Sequence, residues 1–236
     1  MKRNTLLLIT IGLGAMLACG GCRAHDPGNA KATPAAATPA ASGTLEGGVR
    51  VITLDPAASA PVLHVYRGDY VRLALGADQP FTVTVDSLKL TWTWPVPEGD
   101  KPYLKMTETG RFAFRAGTID GTLDVMEFKA AAYREVGGAE AAQVIANLRP
   151  FILDVRTPAE FAEGHLEGAT LLPVQELEQR LRELSAHRQD PVLVYCHSGN
   201  RSTVASKMLV DFGFEQVINV RKGIADLTAA GLPLVR

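Results

Sequence analysis

The fold of the C-terminal half is decided by the stretch Pro191-Val192-Leu193-Val194-Tyr195-Cys196-His197-Ser198-Gly199-Asn200-Arg201-Ser202. Its beginning, up to Tyr195, is apolar and partly β-branched, a pattern that is typical of a buried strand. The residues after it carry apolar side chains at the spacing of one helix face: Val204, Ala205, Met208, Leu209 and Phe212. The stretch therefore predicts a strand, a tight loop and a helix, with Cys196 where the strand ends.

The loop between this strand and helix favours a reactive cysteine. Backbone N–H groups at a helix N-terminus point into such a loop and bring about half a positive charge. A thiolate at Cys196 is stabilised there and is expected to be nucleophilic at neutral pH. Gly199 permits the backbone angles of a tight loop, and either Asn200 or Ser202 is expected to cap the helix. The alternative is a buried structural cysteine at the end of a core strand.

The motif from Cys196 to Ser202, placed after an apolar strand, resembles the active-site loop of rhodanese domains, the single-domain thiosulfate sulfurtransferases. The resemblance extends over residues 138–236. Leu153-Asp154-Val155-Arg156 is similar to the family's strand and Asp-x-Arg turn. Gly164-His165-Leu166-Glu167-Gly168-Ala169 is similar to its Gly-His-x-x-Gly-Ala segment. Together these motifs predict a rhodanese-like domain at residues 134–236.

This resemblance implies a double displacement on sulfur. The Cys196 thiolate attacks the outer sulfur of thiosulfate or a similar small anion, sulfite leaves, and a persulfide remains on the cysteine. A thiol acceptor, or cyanide in an assay, then removes that sulfur. The loop is expected to bind the substrate through His197, Ser198, Gly199, Asn200, Arg201 and Ser202. No metal or organic cofactor is expected.

Four further residues are expected to support the loop rather than to react. By resemblance, Asp154 and Arg156 belong to a turn beside the active loop, and Arg156 is expected to pair with Glu160. His165 is expected to be a packed or hydrogen-bonding framework residue.

Two loop side chains keep alternative roles. Arg201 is expected either to neutralise a substrate sulfonate or to orient the loop through carbonyl groups. His197 either assists anion binding or is an exposed side chain without a role. Lys222 and Leu227 stand where the family often has a glycine and a tryptophan, so the packing under the loop departs from the family pattern.

The length of the loop separates sulfur chemistry from phosphorus or arsenic chemistry. Six residues lie from Cys196 to Arg201 inclusive. By resemblance, this matches the sulfurtransferase form, whereas phosphatase-like relatives have one residue more. A ring of amides around a single sulfur atom is smaller than one around a tetrahedral oxyanion, so little activity on aryl phosphates is expected.

Helices and strands alternate in the same region. A helical apolar face at residues 141–148 ends at Pro150, and residues 151–155 indicate a strand. Leu177, Leu181 and Leu184 indicate a further amphipathic helix, and residues 216–220 indicate another strand. Alternating elements predict a mostly parallel sheet covered on both faces, with the site at the carboxyl ends of its strands.

Residues 44–133 predict a second, all-β domain. Turn signals separate short β-type runs at 49–54, 62–66, 70–75, 81–85, 103–107, 111–115 and 123–128. Alternation of apolar and polar residues favours an antiparallel sandwich of roughly seven strands. Trp92 and Trp94 alternate with threonine and indicate either an exposed aromatic contact surface for a protein partner or packing in the core or at an edge.

The framework of this β domain resembles that of cupredoxin-like domains at residues 66–73 and 117–125. Type 1 copper sites need two histidines and a cysteine with a weak axial ligand. Residues 44–133 contain one histidine, His64, no cysteine, and the methionines Met106 and Met126. We therefore expect His64 to be a solvated strand residue and the domain to bind no type 1 copper.

The N-terminus has the pattern of a bacterial export signal. Basic residues at positions 2–3 precede an apolar run at 5–18 that is too short to span a bilayer comfortably. Met16-Leu17-Ala18-Cys19 resembles a lipobox, which implies residues 1–22 as signal and Cys19 as the lipid-bearing residue, with Cys22 as a second candidate. The alternative is an ordinary cleaved signal peptide. Residues 23–43, rich in Ala, Pro, Thr and Gly, predict a linker, so the protein is expected in the periplasm, held by a lipid at the outer membrane.

The overall charge points away from one class of partner. The formal net charge is -1 at pH 7, which gives no support for nucleic-acid binding. The competing hypothesis to an enzyme is a non-catalytic, envelope-anchored binding or sulfur-sensing module that uses the rhodanese fold as a scaffold. Detection of a persulfide on the purified protein would separate the two.

Overall fold

The computed structural model describes residues 39–76, 80–96 and 103–236. The predicted signal, with Cys19 and Cys22, lies outside the described residues, as does most of the predicted linker. Within the described ranges, no helix is long and apolar enough to cross a membrane.

The first part of the described chain, which we call the two-sheet region (residues 44–126), consists of strands. They are β1 (Thr44–Glu46), β2 (Val49–Leu54), β3 (Val62–Tyr66), β4 (Tyr70–Leu75), β5 (Phe81–Val85), β6 (Leu90–Trp94), β7 (Leu104–Lys105), β8 (Gly110–Ala116) and β9 (Ile119–Met126), with a 3-10 turn at Asp86–Leu88. One sheet has the order β1-β2-β4-β7 and the other β3-β9-β8-β5-β6. Both sheets contribute side chains to one hydrophobic core, among them Val71 and Leu73 from β4 and Leu123 and Val125 from β9.

Two strand pairs in this region are parallel, so the prediction of an entirely antiparallel arrangement is wrong. β2 pairs with β4 in parallel, and so does β3 with β9. The cause lies in the connections. β3 lies between β2 and β4 in the chain but belongs to the second sheet. The chain therefore crosses to the other sheet and back before β4 pairs with β2, and β4 runs in the same direction as β2.

The edges of the two-sheet region differ from the prediction in two places. Ser42, inside the predicted linker, already pairs with His64, since its N–H donates to the His64 carbonyl at 2.7 Å. Trp92 is 6% exposed and packs edge to face against Phe81, so the exposed-surface alternative is wrong for Trp92. Its alternation with threonine reflects a strand, β6, with one face in the core.

The second part, which we call the α/β region (residues 133–236), alternates strands and helices. The strands are β10 (Tyr133–Val136), β11 (Phe151–Asp154), β12 (His165–Leu166), β13 (Thr170–Leu171), β14 (Pro191–Tyr195), β15 (Gln216–Val220) and β16 (Leu234–Val235). The helices are α1 (Gly138–Leu148), α2 (Pro158–Glu163), α3 (Val174–Arg180), a 3-10 helix (Leu181–His187), α4 (Asn200–Asp211) and α5 (Ile224–Ala229).

The main sheet of the α/β region has the order β10-β15-β14-β11-β13, and all its pairs are parallel. The predicted mostly parallel sheet is therefore confirmed. β14 lies at its centre, with Val192 and Val194 in one buried cluster and Leu193 and Tyr195 in another. Burial on both faces explains its continuous apolar sequence.

Close contacts join the two regions, which belong to one compact unit from Pro39 to Arg236. A Cβ at Gly68 would lie 2.8 Å from Cβ of Thr203, so the turn before β4 touches the first turns of α4. Arg67 donates from Nη2 to Glu135 Oε1 at 2.7 Å. These contacts place the two-sheet region against the N-terminal end of α4, next to Cys196.

Candidate functional site

Cys196 lies at the carboxyl end of the central strand β14 and is 1% exposed. Its Sγ accepts a hydrogen bond from the backbone N–H of Gly199 at 3.1 Å. Gly199 is the N-cap of α4, so this N–H lies where the helix macrodipole is positive. Both features place positive partial charge next to the sulfur.

Two glycines allow the loop to close around the sulfur. Gly199 has φ +94°, and a Cβ there would lie 1.7 Å from the Arg221 carbonyl oxygen. Gly223 has φ +65°, and its Cβ would lie 2.3 Å from the Cys196 carbonyl oxygen. Ile224 N–H donates to that same oxygen at 2.8 Å. Residues 221–224 therefore pack directly under the Cys196 loop, where the sequence departs from the family pattern.

The predicted capping of α4 by Asn200 or Ser202 is wrong. The helix begins at Asn200, and its N-cap, Gly199, makes no side-chain cap. The Ser202 hydroxyl instead donates to the Gly199 carbonyl at 3.0 Å, because Ser202 is fully buried and faces the loop. Asn200 donates from Nδ2 to the Met106 carbonyl of the two-sheet region at 3.4 Å.

Arg201 forms a bidentate ion pair with Glu160, with both N···O distances at 2.6 Å. Glu160 also forms a capping box at the start of α2, where its Oε2 accepts from the Thr157 N–H at 3.0 Å. The predicted pair between Arg156 and Glu160 is wrong. Arg156 is buried and donates to Asp154, with Nη2 2.6 Å from Oδ2, so Glu160 is left for Arg201.

These contacts affect the acidity of Glu160. Hydrogen bonds from Arg201, opposed by partial burial and reinforced by those from Thr157, lower the pKa of Glu160 from 4.5 to about 2. The same pair raises the pKa of Arg201 above its ordinary value. At neutral pH the two side chains are both charged and neutralise each other beside the loop.

The lowered pKa predicts a specific pH dependence of stability. A carboxyl whose folded-state pKa is depressed stabilises the fold above its unfolded pKa, and this contribution is lost as pH falls through the folded value. The stabilisation by Glu160 should therefore be complete above pH 4.5 and decline toward about pH 2. Urea unfolding of wild type and Glu160→Gln should show a difference in unfolding free energy that is constant near neutrality and shrinks over this window. A constant difference down to pH 2 would contradict the assignment.

The predicted supporting residues lie beside the loop and below it. Asp154 and Arg156 are buried at the end of β11, next to β14, and the Arg156 guanidinium lies 5.6 Å from the centre of the Tyr195 ring. Arg156 also donates to the Gly164 carbonyl at 2.8 Å. His165 stacks on Phe161 at 3.6 Å, with Nδ1 3.0 Å from the Phe161 carbonyl oxygen. All these contacts join residues of the α/β region to one another, which fits the supporting role that the sequence predicts.

A cleft of about 610 Å³ opens above the loop. His197 and Ser198 form part of its rim, and His197 is 67% exposed, with Nδ1 3.9 Å from Glu160 Oε1. The α/β region contributes the residues Thr157, Glu160, Glu163, Val174, Gln175, His197, Ser198 and Arg201. Its other wall comes from the two-sheet region: Gly47, Gly48, Val49, Tyr70, Tyr103 and Lys105.

The second wall was not predicted from the sequence. Tyr70 is far from Cys196 along the chain, and its position in a β-type run indicated only a strand. Burial, with the negative charge of Cys196 as the next cause, raises the pKa of Tyr70 to about 12. Only the packing of the two regions brings these side chains to one site.

Comparisons with known proteins find matches to the α/β region. The family model for the rhodanese-like domain matches residues 138–230. A sulfurtransferase of Allochromatium vinosum is 36% identical over 102 residues, which cover 43% of this chain and 94% of that protein. The thiosulfate sulfurtransferase PspE of Escherichia coli K12 is 32% identical over 75 residues, 32% of this chain and 71% of that protein.

Other similar proteins overlap this chain only in part. A putative sulfur carrier protein, YrkF of Bacillus subtilis, is 40% identical over 77 residues, and the match spans 33% of this chain and 40% of that protein. A crystal structure of a rhodanese-related protein from Thermoplasma volcanium is 31% identical and covers 44% of this chain and 98% of that chain, with a TM-score of 0.40. Each of these matches covers less than half of the chain.

Proposed function

The chain belongs to the rhodanese-like family through residues 138–230, and from this premise we propose that it is a sulfurtransferase that carries sulfur on Cys196 as a persulfide. Relatives named as sulfurtransferases support a sulfur-containing substrate. The observation that carries the proposal is the position of Cys196 Sγ, 3.1 Å from the Gly199 N–H at the start of α4. A backbone N–H donor at a helix N-terminus is an environment in which a thiolate is stabilised.

The reaction takes two balanced displacements. The Cys196 thiolate attacks the outer sulfur of thiosulfate, a new S–S bond forms, and the S–S bond of thiosulfate breaks as sulfite leaves with its electron pair. An acceptor thiolate then attacks the terminal sulfur and releases the Cys196 thiolate with the electron pair of the enzyme's S–S bond. The loop amides stabilise negative sulfur in both steps, and no net oxidation of the enzyme occurs.

The contacts of the loop side chains support different roles for them. Both terminal nitrogens of the Arg201 guanidinium donate to the Glu160 carboxylate. Because its charge is already paired, Arg201 is better suited to holding the loop than to neutralising a sulfonate. His197 lies at the exposed rim, where it can meet an anion that enters the cleft. Ser202 and Thr203 both donate to the Gly199 carbonyl and fix the turn that presents the Gly199 N–H.

Mass spectrometry of the protein, before and after digestion to peptides, tests this proposal against a non-catalytic binding module. Incubation with thiosulfate should add the mass of one sulfur atom to the peptide that contains Cys196, and cyanide should remove it. No sulfur should be added to Cys196→Ser. Absence of the adduct on wild type, under conditions in which the protein is folded, would favour the binding module.

For the two-sheet region we propose a cupredoxin-like framework that holds no type 1 copper. The geometry of its candidate ligands supports this proposal. His64 Nδ1 lies 3.2 Å from an Asp124 carboxylate oxygen, and Met106 is fully buried in the hydrophobic core. Among the residues that the structure describes, no group of three or more acidic, histidine or cysteine side chains is arranged to hold a metal ion.

We also propose that residues 1–22 export the chain and that lipid on Cys19 anchors it to the outer membrane, facing the periplasm. The basic start, the apolar run and the lipobox-like sequence support this. Replacing both Cys19 and Cys22 with serine should move the protein from the membrane fraction to the soluble periplasmic fraction. If wild type is already in the soluble fraction, the anchor is wrong.

A further inference from the structure

One end of the first sheet in the two-sheet region lies directly over the Cys196 loop. Val49 of β2 is the register partner of Tyr70 of β4, and Tyr70 is the register partner of Lys105 of β7. All three residues line the cleft above the loop. β4 and β7 are antiparallel, so the Cβ atoms of Tyr70 and Lys105 are expected about 4.5–5.5 Å apart on one face, and Val49 is the partner of Tyr70 on its other side. The row therefore presents an apolar group, a phenol and an ammonium group side by side to the entrance of the site.

The phenol of Tyr70 is fixed in this row. Its ring packs edge to face against Tyr103, with ring centres 4.7 Å apart. Because burial and the negative charge of Cys196 raise the pKa of Tyr70 to about 12, its hydroxyl keeps its proton at any physiological pH. Tyr70 is thus a permanent hydrogen-bond donor in the wall of the cleft, and the two aromatic rings offer an apolar surface beside it.

The charges around the cleft are arranged unevenly. Arg201 and Glu160 neutralise each other in a bidentate pair. Glu163, on the α/β side, brings a negative charge to one wall, and Lys105 brings a positive charge to the other. An anionic group that enters the cleft is therefore repelled from the α2 side and attracted to the two-sheet side.

The size of the cleft exceeds the need of an inorganic ion. Its volume of about 610 Å³ lies within the range of about 300–1,000 Å³ that is typical of sites for small organic ligands. Thiosulfate and cyanide are too small to fill most of this space. They give no role to the row formed by Val49, Tyr70 and Lys105.

We propose that the two-sheet region selects the sulfur acceptor, and that this acceptor is an organic thiol with a carboxylate group. Its carboxylate binds Lys105, its carbon chain lies against Tyr70 and Tyr103, and its thiolate reaches the sulfur on Cys196. The proposal rests on the proposed sulfurtransferase function. In the step itself, the acceptor thiolate forms an S–S bond to the terminal sulfur, the bond between that sulfur and Cys196 breaks, and the Cys196 thiolate leaves with the electron pair.

Acceptor kinetics with a matched pair of thiols test the proposal. The full chain is loaded with thiosulfate, and 3-mercaptopropionate is compared with 3-mercaptopropionamide, which has the same skeleton without the charge. Wild type should prefer the carboxylate by about tenfold in kcat/KM, mainly through KM, as expected for one charge-assisted hydrogen bond. Lys105→Gln should bring the ratio close to one, and Lys105→Arg should restore most of it. Lys89→Gln, which changes an exposed lysine of the same region outside the cleft, should keep the wild-type ratio.

The outcomes separate this inference from the proposed function. A wild-type ratio near one, or a ratio that Lys105→Gln leaves unchanged, would overturn the inference while sulfur transfer itself stands. If thiosulfate does not add sulfur to the wild-type protein, the proposed function fails. The inference is then tested by the binding of the two thiols alone. For that case, Cys196→Ser protein is titrated with each of the two thiols and followed by NMR. Tighter binding of the carboxylate that is lost in the Cys196→Ser, Lys105→Gln double variant supports a carboxylate site, and equal binding of the two thiols refutes it.

Discussion

Replacing Cys196 with serine is expected to reduce thiosulfate:cyanide transfer to the uncatalysed rate. A serine hydroxyl forms no persulfide, so both displacements lose the atom on which they occur. Loss of a nucleophile of this kind typically lowers kcat by a factor on the order of 10⁴–10⁶. The substitution is nearly isosteric at a site that is 1% exposed, so the fold should persist. Steady-state transfer assays and urea unfolding of the same preparations would measure both effects.

Two results would count against this assignment. Retention of more than about one per cent of the wild-type rate by Cys196→Ser would mean that another group carries the sulfur. Turnover of an aryl phosphate by wild type that exceeds its sulfur transfer would mean that the loop is built for a tetrahedral oxyanion. The six-residue loop and the Gly199 N–H at 3.1 Å from Sγ favour a cradle for a single sulfur atom.

The local structure around Cys196 was accessible from the sequence because its signals are local. An apolar run without polar interruptions predicts a strand that is buried on both faces, and β14 is such a strand. The apolar spacing that begins at Val204 predicts the helix, and α4 extends over Asn200–Asp211. Position at the end of a parallel strand follows from the same alternation.

Several features of the site depend on competition between partners, which sequence spacing does not resolve. Arg156 was expected to pair with Glu160, but Asp154, buried and two residues away, binds it instead. Glu160 then pairs with Arg201, which is remote in sequence and adjacent only in the folded loop. Strand β10 was missed because Tyr133–Val136 has a charged residue at two of its positions and lies across the predicted domain boundary.

The wall formed by Tyr70 and Lys105 was not predictable for a different reason, because it arises from the packing of two regions. The apolar pattern of each region is accounted for by burial in that region's own core, so it carries no information about the other region. The contacts that join them, such as the close approach of Gly68 to Thr203 and the bond from Asn200 to the Met106 carbonyl, involve residue types that are common in turns and helix starts. No periodicity or motif therefore indicates which face of the strands meets the loop.

Replacing Gly199 with alanine is expected to cause the second large loss, and the structure separates two contributions to it. The first is backbone strain, because Gly199 has φ +94° and an L-residue in the left-handed region costs about 1–2 kcal/mol. The second is overlap, because the new Cβ would lie 1.7 Å from the Arg221 carbonyl oxygen, which belongs to rigid backbone. Overpacking of this kind typically adds about 1–3 kcal/mol. The total loss of unfolding free energy should be about 2–5 kcal/mol, measured by urea unfolding.

Gly213→Ala is the matched control, since Gly213 has φ +91° but no atom within 4 Å of its Cβ position. It should lose only the strain contribution, about 1–2 kcal/mol, and keep full sulfur transfer. Gly199→Ala should in addition lose about 10²–10³ in kcat, because relieving the overlap displaces the N–H that donates to Cys196 Sγ. The comparison isolates the loop geometry from general destabilisation. Equal effects of the two substitutions on kcat would show that the position of the Gly199 N–H does not matter for the reaction, and the role given to the loop amides would then be wrong.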